Sequence, residues 1–295
     1  MNTRGWTIGV VLATAAFAAL LASTAAAQIL AGLPTEITAI RHNSGQPVIP
    51  YFEGWIRNAD GSFDMVFGYF NRNYVEEFAI PTGPDNSIEP GPVNQGQPTY
   101  FLPRRQRYVY RVRVPANFGK QELVWTITSN GRAEKAYGTL IPEEEITERV
   151  VMTNGNYDPA PDDPNRPPEV AVAPLARVNI GTPITLMAKV TDDGLPKPRP
   201  VAQEPAPSTT TGSFIAQRNS STAARPPRGL TVTWLQYGGP AKVTFSHTGT
   251  IDVVNGQAVT TAVFPAPGIY TLVSTAADPG RLSMKTMVTV EIPAK

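Results

Sequence analysis

Prolines are concentrated in three stretches of the chain, and this distribution limits the fold more than any other sequence feature. Eighteen of the 30 prolines lie in residues 81–103, 153–169 and 194–229. Proline lacks a backbone N–H and fixes φ, so it interrupts helices and the inner strands of sheets. We therefore assign these stretches to loops and linkers, and expect little helix elsewhere.

The first 27 residues have the three regions of a secretory signal peptide. Arg4 supplies the positive charge, residues 8–22 are small and apolar, and three alanines at 25–27 precede Gln28 as a cleavage site. A membrane anchor is the alternative, but the apolar run is short for a span of about 20 residues. We predict cleavage before Gln28, a secreted or periplasmic bacterial protein, and no transmembrane segment in the mature chain.

Cysteine, histidine and charge counts exclude several classes of function. The chain has no cysteine and a formal net charge of +1, which gives no reason to expect a nucleic-acid partner. Zinc sites and Ser-His-Asp relays depend on histidine, and the two histidines, His42 and His247, fall in predicted loops. Neither a nucleophile elbow nor a phosphate-binding glycine motif occurs. We expect a protein that is not an enzyme and has no cofactor.

Between the proline-rich stretches the sequence alternates with the two-residue period of β-strands. Residues 51–57 and 63–69 flank an Asn-Ala-Asp-Gly turn and predict a hairpin with an aromatic inner face. Residues 107–114 and 123–127 continue the alternation, and the following Asn-Gly indicates a second hairpin turn. Only residues 142–151 suit a helix, of one or two turns.

The remainder of the chain contains seven short strand-like runs, the number found in an immunoglobulin-like sandwich. They are residues 169–172, 178–191, 230–236, 243–246, 258–264, 269–277 and 286–292. We expect Trp234 in the core, and we expect the Tyr270 hydroxyl to bond back to the preceding loop. Residues 194–229 interrupt the pattern as a proline-rich insertion that we expect to be disordered.

The predicted fold class is all-β, with two β-sandwich (immunoglobulin-like) domains. The signal peptide would cover residues 1–27, the first sandwich residues 28–152, a proline-rich linker residues 153–168 and the second sandwich residues 169–295. At least five antiparallel strands with large inward side chains are expected in the first sandwich.

Each half carries its own set of short motifs that resemble a known family. In the second half they begin with Asn-Arg-Pro-Pro and lie at residues 165–168, 181–186, 190–196, 230–234, 239–246, 260–264, 267–272 and 288–290. This pattern resembles the PKD-like, immunoglobulin-like modules of secreted bacterial proteins, which implies a sandwich that presents loops or acts as a spacer. In the first half they lie at residues 52–55, 68–73, 84–86, 88–91, 96–99, 101–103 and 122–126. That half resembles an uncharacterised exported bacterial family, a resemblance that implies no activity.

Polar side chains near the end of an aromatic strand form the first candidate binding site. Amides beside aromatic rings would hydrogen-bond and stack against a sugar, whereas the alternative is that they cap turns. The residues are Tyr69, Asn71, Arg72, Asn73, Asp85 and Asn86.

Arginines on one strand form the second candidate. The alternation of residues 107–114 directs Tyr108 and Tyr110 inward and Arg107, Arg111 and Arg113 outward. Such a row would bind an anionic glycan or phosphate in bidentate fashion. The alternative is a solvated face balanced by the glutamates between 143 and 148.

Aspartates near the predicted domain junction form the third candidate. Calcium is held by several carboxylate and carbonyl oxygens, but no twelve-residue calcium loop occurs, and aspartate is also an ordinary turn residue. No metal site is therefore assigned. The residues concerned are Asp162, Asp163, Asp192, Asp193 and Asp278.

These features favour a non-enzymatic binding or scaffolding protein of the periplasm or cell exterior. Its partner would be a protein or a glycan that the sequence does not identify, and its oligomeric state is open. The second hypothesis is a carbohydrate-binding protein that uses the aromatic and amide surface of the first domain. The third is a glycoside hydrolase, because that mechanism needs only two suitably spaced carboxyl groups.

Overall fold

β-Strands make up most of the regular structure. The computed structural model describes residues 41–156, 163–175, 179–197 and 229–294. The predicted signal peptide, Asp162 and most of the predicted insertion lie outside these residues. The first half contains β1 (Val48–Arg57), β2 (Phe63–Asn71), β3 (Phe78–Ala79), β4 (Asn86–Glu89), β5 (Tyr100–Phe101), β6 (Arg104–Val114), β7 (Leu123–Ser129) and β8 (Arg132–Gly138).

Two three-stranded antiparallel sheets, β1-β2-β6 and β4-β7-β8, enclose the core of the first half, and β3 pairs with β5. Aromatic rings from both sheets meet there: Phe67 of β2 packs edge-on against Trp125 of β7, with 5.9 Å between ring centroids. The predicted hairpin is confirmed, since β1 pairs with β2. Gly61 takes the positive φ that its turn requires.

Among the residues that the structure describes, helical structure lies only at the predicted place. A 3₁₀ turn covers Pro142–Glu144, and the single-turn helix α1 covers Glu148–Met152. The Thr147 hydroxyl caps α1 by accepting from the Val150 N–H. Within the described residues, no helix has the length and apolar character needed to cross a membrane.

The second half is a sandwich of two four-stranded sheets, β12-β14-β10-β9 and β13-β11-β15-β16. Trp234 and Tyr270 are buried between them, and the Tyr270 hydroxyl donates to the Ala266 carbonyl at 3.0 Å, as predicted. Its strands are β9 (Glu169–Val172), β10 (Ile184–Thr191), β11 (Thr231–Gly238), β12 (Thr244–Phe245), β13 (Thr250–Asp252), β14 (Gln257–Val263), β15 (Gly268–Ala277) and β16 (Ser283–Ile292). The all-β, immunoglobulin-like prediction is confirmed, although β13 was not predicted.

A bulge interrupts β6 and changes the predicted direction of Tyr108. Phe67 of β2 pairs with Tyr110, but Tyr69 pairs with Gln106, so residues 107–109 lie opposite Gly68 alone. Tyr108 has φ of 50° and is half-buried, whereas Tyr110 is buried as expected. The prediction that Tyr108 joins the core is therefore wrong, because bulge residues leave the alternation of the strand.

Candidate functional site

The predicted amide cluster lies inside the fold. Asn71 and Asn73 are fully buried. The Asn71 amide donates to the Glu76 carbonyl, and the Asn73 amide donates to the Gln46 carbonyl, both at 2.7 Å. These bonds satisfy backbone groups of neighbouring loops, so neither side chain is available to a sugar. The expectation of an exposed amide surface is corrected, and the arrangement matches the alternative in which amides hold turns.

Tyr69 and Asn86 are also structural. The Tyr69 hydroxyl accepts from the Leu102 N–H at 2.9 Å, and its ring is buried. Asn86 is fully buried, donates to the Ile80 and Pro98 carbonyls, and accepts from the Trp125 indole at 3.0 Å. Every polar atom of the Asn86 amide thus faces protein.

Only two members of the cluster reach the surface. Arg72 and Asp85 are exposed. The carbonyl of Arg72 accepts from the Arg104 guanidinium at 3.1 Å, and the carbonyl of Asp85 accepts from the Thr128 N–H at 2.8 Å. Their neighbours in sequence point inward, so the two exposed side chains do not form a shared aromatic and amide surface.

Carboxylates neutralise two of the three predicted arginines. Arg111 holds the Glu148 carboxylate in bidentate geometry, at 2.5 and 2.7 Å. Arg113 donates to Asp64 at 3.0 Å. In the part of the chain that the structure describes, Arg107 makes no ion pair. The row therefore does not present three free guanidinium groups. For Arg111 the structure matches the alternative hypothesis, in which a glutamate between residues 143 and 148 neutralises the arginine.

Direct hydrogen bonds join the first half to the second. The Tyr237 hydroxyl donates to the Gly96 carbonyl at 2.6 Å, and the Thr99 N–H donates to the Tyr237 carbonyl at 3.1 Å. On another side of the contact, the Ser283 hydroxyl donates to the Met152 carbonyl at 2.8 Å. The bonded residues lie on β11, β16, α1 and the loop between β4 and β5, so both halves contribute more than one element.

An open cavity of about 490 Å³ lies among these bonds, and we call it the junction cleft. This volume is within the range of small-molecule sites. The bulge of β6 forms one wall, and α1, β11 and β16 form the others. Its lining combines methionine and valine with polar groups: Gln95, Gly96, Tyr108, Val109, Tyr110, Arg111, Glu148, Val151, Met152, Tyr237, Ser283, Met284, Lys285 and Met287.

Two lining groups in the junction cleft are electrostatically unusual. Tyr110 is 4% exposed, and its hydroxyl has no hydrogen-bond partner among the described residues. Lys285 is exposed along part of its length, while its ammonium donates to the Tyr108 carbonyl at 3.1 Å. Burial and the nearby Arg111 charge lower the pKa of Lys285 to about 8. The Lys285 ammonium thus has unused donor capacity beside the apolar lining of the junction cleft.

The sequence predicted Arg111 as a candidate binding residue, and Arg111 lines this cleft, but the rest of the cleft was not predicted. A second cavity of about 70 Å³ adjoins it and is lined by Arg107 and Tyr69. Lys285 and Met287 are both exposed and lie two positions apart on β16, which places them on one outward face of that strand. No sequence signal indicates that this outward face meets the bulge of β6, because the contact depends on how the halves pack.

Comparisons with known proteins give structural similarity without a family. Neither the protein-family models nor the curated proteins give a match. A conjugative transposon lipoprotein from Bacteroides eggerthii is similar at 11% identity and a TM-score of 0.26, over 42% of this chain and 96% of that one. The D00-D0 domain of intimin is similar at 11% identity and a TM-score of 0.26, over 84% of this chain and 100% of that one. Fibronectin(III)-like modules of Clostridium thermocellum CbhA are similar at 10% identity and a TM-score of 0.24, over 87% of this chain and 92% of that one. At such scores, the immunoglobulin-like assignment of this chain rests on its own strand pairing.

Proposed function

We propose that this protein is an exported, non-enzymatic binding protein whose ligand occupies the junction cleft. The observation that carries the proposal is the Lys285 ammonium on the lining of an open cavity that also contains three methionines. An ammonium beside an apolar surface in a cavity of this size is a plausible ligand contact.

The chemistry of the lining favours an anionic group on an apolar body. Lys285 has further N–H donors beyond the one used on Tyr108. A carboxylate or sulfonate would accept from them and would offset the low pKa of Lys285. Met152, Met284 and Met287 supply a flexible apolar surface beside them.

The lining offers little to a hydrolase. Glu148 is the one carboxylate among the residues that line the junction cleft, and Arg111 already holds both of its oxygens. Glycoside hydrolysis needs two carboxyl groups on opposite sides of the bond to be cleaved. Neither His42 nor His247 lines the cleft. These observations support binding rather than catalysis.

A scaffolding role is the second candidate. The hydrogen bonds between the halves favour it, because they would hold the two sandwiches as one rigid spacer. Carbohydrate binding in the first half loses support from the burial of Asn71, Asn73 and Asn86.

Titration with the fluorescent probe 8-anilinonaphthalene-1-sulfonate tests the binding proposal, because this probe carries one anionic group on an apolar body. We expect saturable binding that weakens about tenfold in Lys285→Met, the loss of one charge-assisted hydrogen bond. Lys189→Met is the matched control, since Lys189 is an exposed lysine on β10.

Tyr110→Phe removes only a buried, unpartnered hydroxyl and should leave both stability and probe affinity close to those of the unmodified protein, which makes it a second control. Equal affinities of Lys285→Met and Lys189→Met, or no saturable binding by the folded protein, would overturn the cleft proposal and leave the spacer as the better hypothesis.

A further inference from the structure

Arginine and aromatic side chains lie together on the outer face of the β1-β2-β6 sheet. Phe70 of β2 points away from the core, because its neighbours Tyr69 and Asn71 are buried on the inner side. Its partner across the ladder is Arg105 of β6, whose guanidinium carbon lies 4.3 Å from the centre of the Tyr51 ring. We define the arginine-tyrosine patch as Tyr51, Phe70, Arg72, Tyr74, Arg104 and Arg105.

Arg104 is held between two aromatic rings. Its guanidinium carbon lies 4.0 Å from the centre of the Tyr74 ring and 4.8 Å from the centre of the Phe70 ring, both in the range of cation–π contacts. Its Nη1 atom donates to the Arg72 carbonyl at 3.1 Å. These contacts fix the plane of the guanidinium. They leave the Nε and Nη2 donors without a hydrogen-bond partner among the described residues.

The backbone conformation of Arg104 indicates a use for its side chain. Its φ of 67° lies in the left-handed region, which residues other than glycine, asparagine and aspartate rarely adopt. Such a conformation costs free energy and tends to persist at sites where it orients a functional group. Asparagine would fit this backbone better than arginine does, so the local fold alone does not account for the residue found here.

The patch has more positive charge than its own carboxylate neutralises. Glu53 lies 2.7 Å from the Arg105 guanidinium and accounts for that charge. Arg72 and Arg104 form no ion pair within the residues that the structure describes. Two guanidinium groups therefore remain for a negatively charged partner.

The next carboxylates along the chain are engaged on other contacts. Glu76 accepts from the Gly45 N–H at 2.7 Å. Glu77 accepts from the Lys242 ammonium of the second sandwich at 2.6 Å. Neither carboxylate is thus placed to serve as the partner of the Arg104 guanidinium.

The exposed side chains of the patch are those that protein interfaces favour. Tyr51 and Tyr74 are each 40% exposed, and Val75, next to Tyr74 in sequence, is 65% exposed. Interfaces are enriched in tyrosine and arginine and depleted in lysine, and tyrosine and arginine are also frequent energetic anchors. The patch contains no lysine. This composition favours a protein partner over a polysaccharide.

We infer that the arginine-tyrosine patch binds an acidic segment of a partner protein, with one carboxylate held by Nε and Nη2 of Arg104. A guanidinium forms two parallel hydrogen bonds to a carboxylate, and the stacked rings hold it ready for that geometry. Arg72 would contact a second carboxylate, while the tyrosine rings would contact apolar atoms of the segment. No patch residue lines the junction cleft, so this inference is independent of the ligand proposed there.

Fluorescence polarisation of a labelled octaglutamate peptide, titrated with the whole chain from Gln28 onward at about 50 mM salt, tests the inference. We expect saturable binding that Arg104→Asn weakens about tenfold through the loss of one bidentate pair. Asparagine adopts positive φ readily, so this variant should keep its Tm within about 2 °C of the unmodified protein. Arg132→Asn is the matched control, because Arg132 is an exposed arginine on β8.

Arg104→Lys distinguishes the planar fork from charge alone. It keeps the positive charge and loses the second parallel donor, so it should bind the peptide severalfold more weakly than the unmodified protein does. Equal affinities of Arg104→Lys and the unmodified protein, or of Arg104→Asn and Arg132→Asn, would overturn the inference. So would the absence of saturable binding to octaglutamate.

Octagalacturonate distinguishes a polysaccharide from a protein partner, because it carries the same number of carboxylates on a sugar backbone. We expect it to bind more weakly than octaglutamate. Tighter binding of octagalacturonate, lost in Arg104→Asn, would assign the patch to an acidic polysaccharide and overturn the inference of a protein partner.

Discussion

The Lys285 ammonium donates a hydrogen bond of 3.1 Å to the carbonyl oxygen of Tyr108. The acceptor lies in the bulge of β6, where φ of 50° departs from the extended strand. The donor lies on β16, the last strand of the second sandwich. One irregular residue in the first half thus fixes the position of a cation from the second half at the edge of the junction cleft.

Lys285 should make the stability of the protein depend on pH above neutrality. Its pKa is about 8 in the folded state and 10.5 for an ordinary lysine. Between these values the unfolded chain binds more protons at this residue than the folded chain does, so its contribution to the free energy of unfolding increases with pH. Solvent at the exposed part of the side chain screens the effect.

Urea unfolding of the unmodified protein and of Lys285→Met, at pH 8 and at pH 10.5, measures this contribution. The variant should become less stable relative to the unmodified protein as the pH increases. A constant difference between the two proteins would show that the Lys285 pKa is not lowered.

The Tyr237 hydroxyl should stabilise the contact between the halves. Tyr237→Phe removes the 2.6 Å bond to the Gly96 carbonyl and keeps the buried ring. We expect the free energy of unfolding to decrease by about 1 kcal/mol. Tyr137→Phe is the control, since Tyr137 is 53% exposed on β8 and should change stability very little. Equal stability of the two variants would contradict the prediction.

Adjacent residues of the predicted sugar site should behave differently when replaced. Asn86→Ala leaves two carbonyls and the Trp125 indole without partners in the interior, so we expect a loss of about 3 kcal/mol or more. Asp85→Ala changes an exposed side chain and should stay within about 0.5 kcal/mol. Chemical denaturation distinguishes the two, and a mild Asn86→Ala would mean that its amide is not structural.

Gly68 should tolerate no side chain. A Cβ atom there would collide with the Glu53 carboxylate and the Gln106 carbonyl, which surround the bulge. We expect Gly68→Ala to lower the free energy of unfolding by about 1 to 3 kcal/mol. Gly229→Ala, where a Cβ meets open space, is the control. If both variants unfold at the same urea concentration, the bulge has more room than its geometry indicates.

Export should remove the first 27 residues. Mass spectrometry of the protein recovered from an expressing bacterium should give a chain that begins at Gln28. Ala27→Tyr places a large residue at the cleavage site and should block processing, whereas Ala26→Tyr falls on the variable position of the Ala-x-Ala pattern and should be processed. Processing of both variants would place the cleavage site elsewhere.

The two-residue alternation of inward and outward side chains predicted the strands well, because this pattern reflects which residues of a strand are buried. The hairpin of β1 and β2, the buried Trp234 and the hydroxyl bond of Tyr270 follow from residues near one another in sequence. The bulge at Tyr108 did not follow, because side-chain pattern does not record an extra backbone residue.

The candidate sites were harder to predict for a related reason. Asparagine serves equally well as a ligand contact and as a buried backbone partner, and only tertiary packing decided the role of Asn71, Asn73 and Asn86. The junction cleft requires β6 and β16 to meet, and their residues are about 180 positions apart. Such a contact has no signature in a single sequence.

The hydrogen bonds between the halves limit how this chain could exchange parts with other proteins. Tyr237, Lys242 and Lys285 of the second sandwich have acceptors on Gly96, Glu77 and Tyr108 of the first half. The second sandwich alone would lose these acceptors and would expose the Tyr237 ring to water. Transfer of the two sandwiches together would therefore preserve more stability than transfer of the second sandwich by itself.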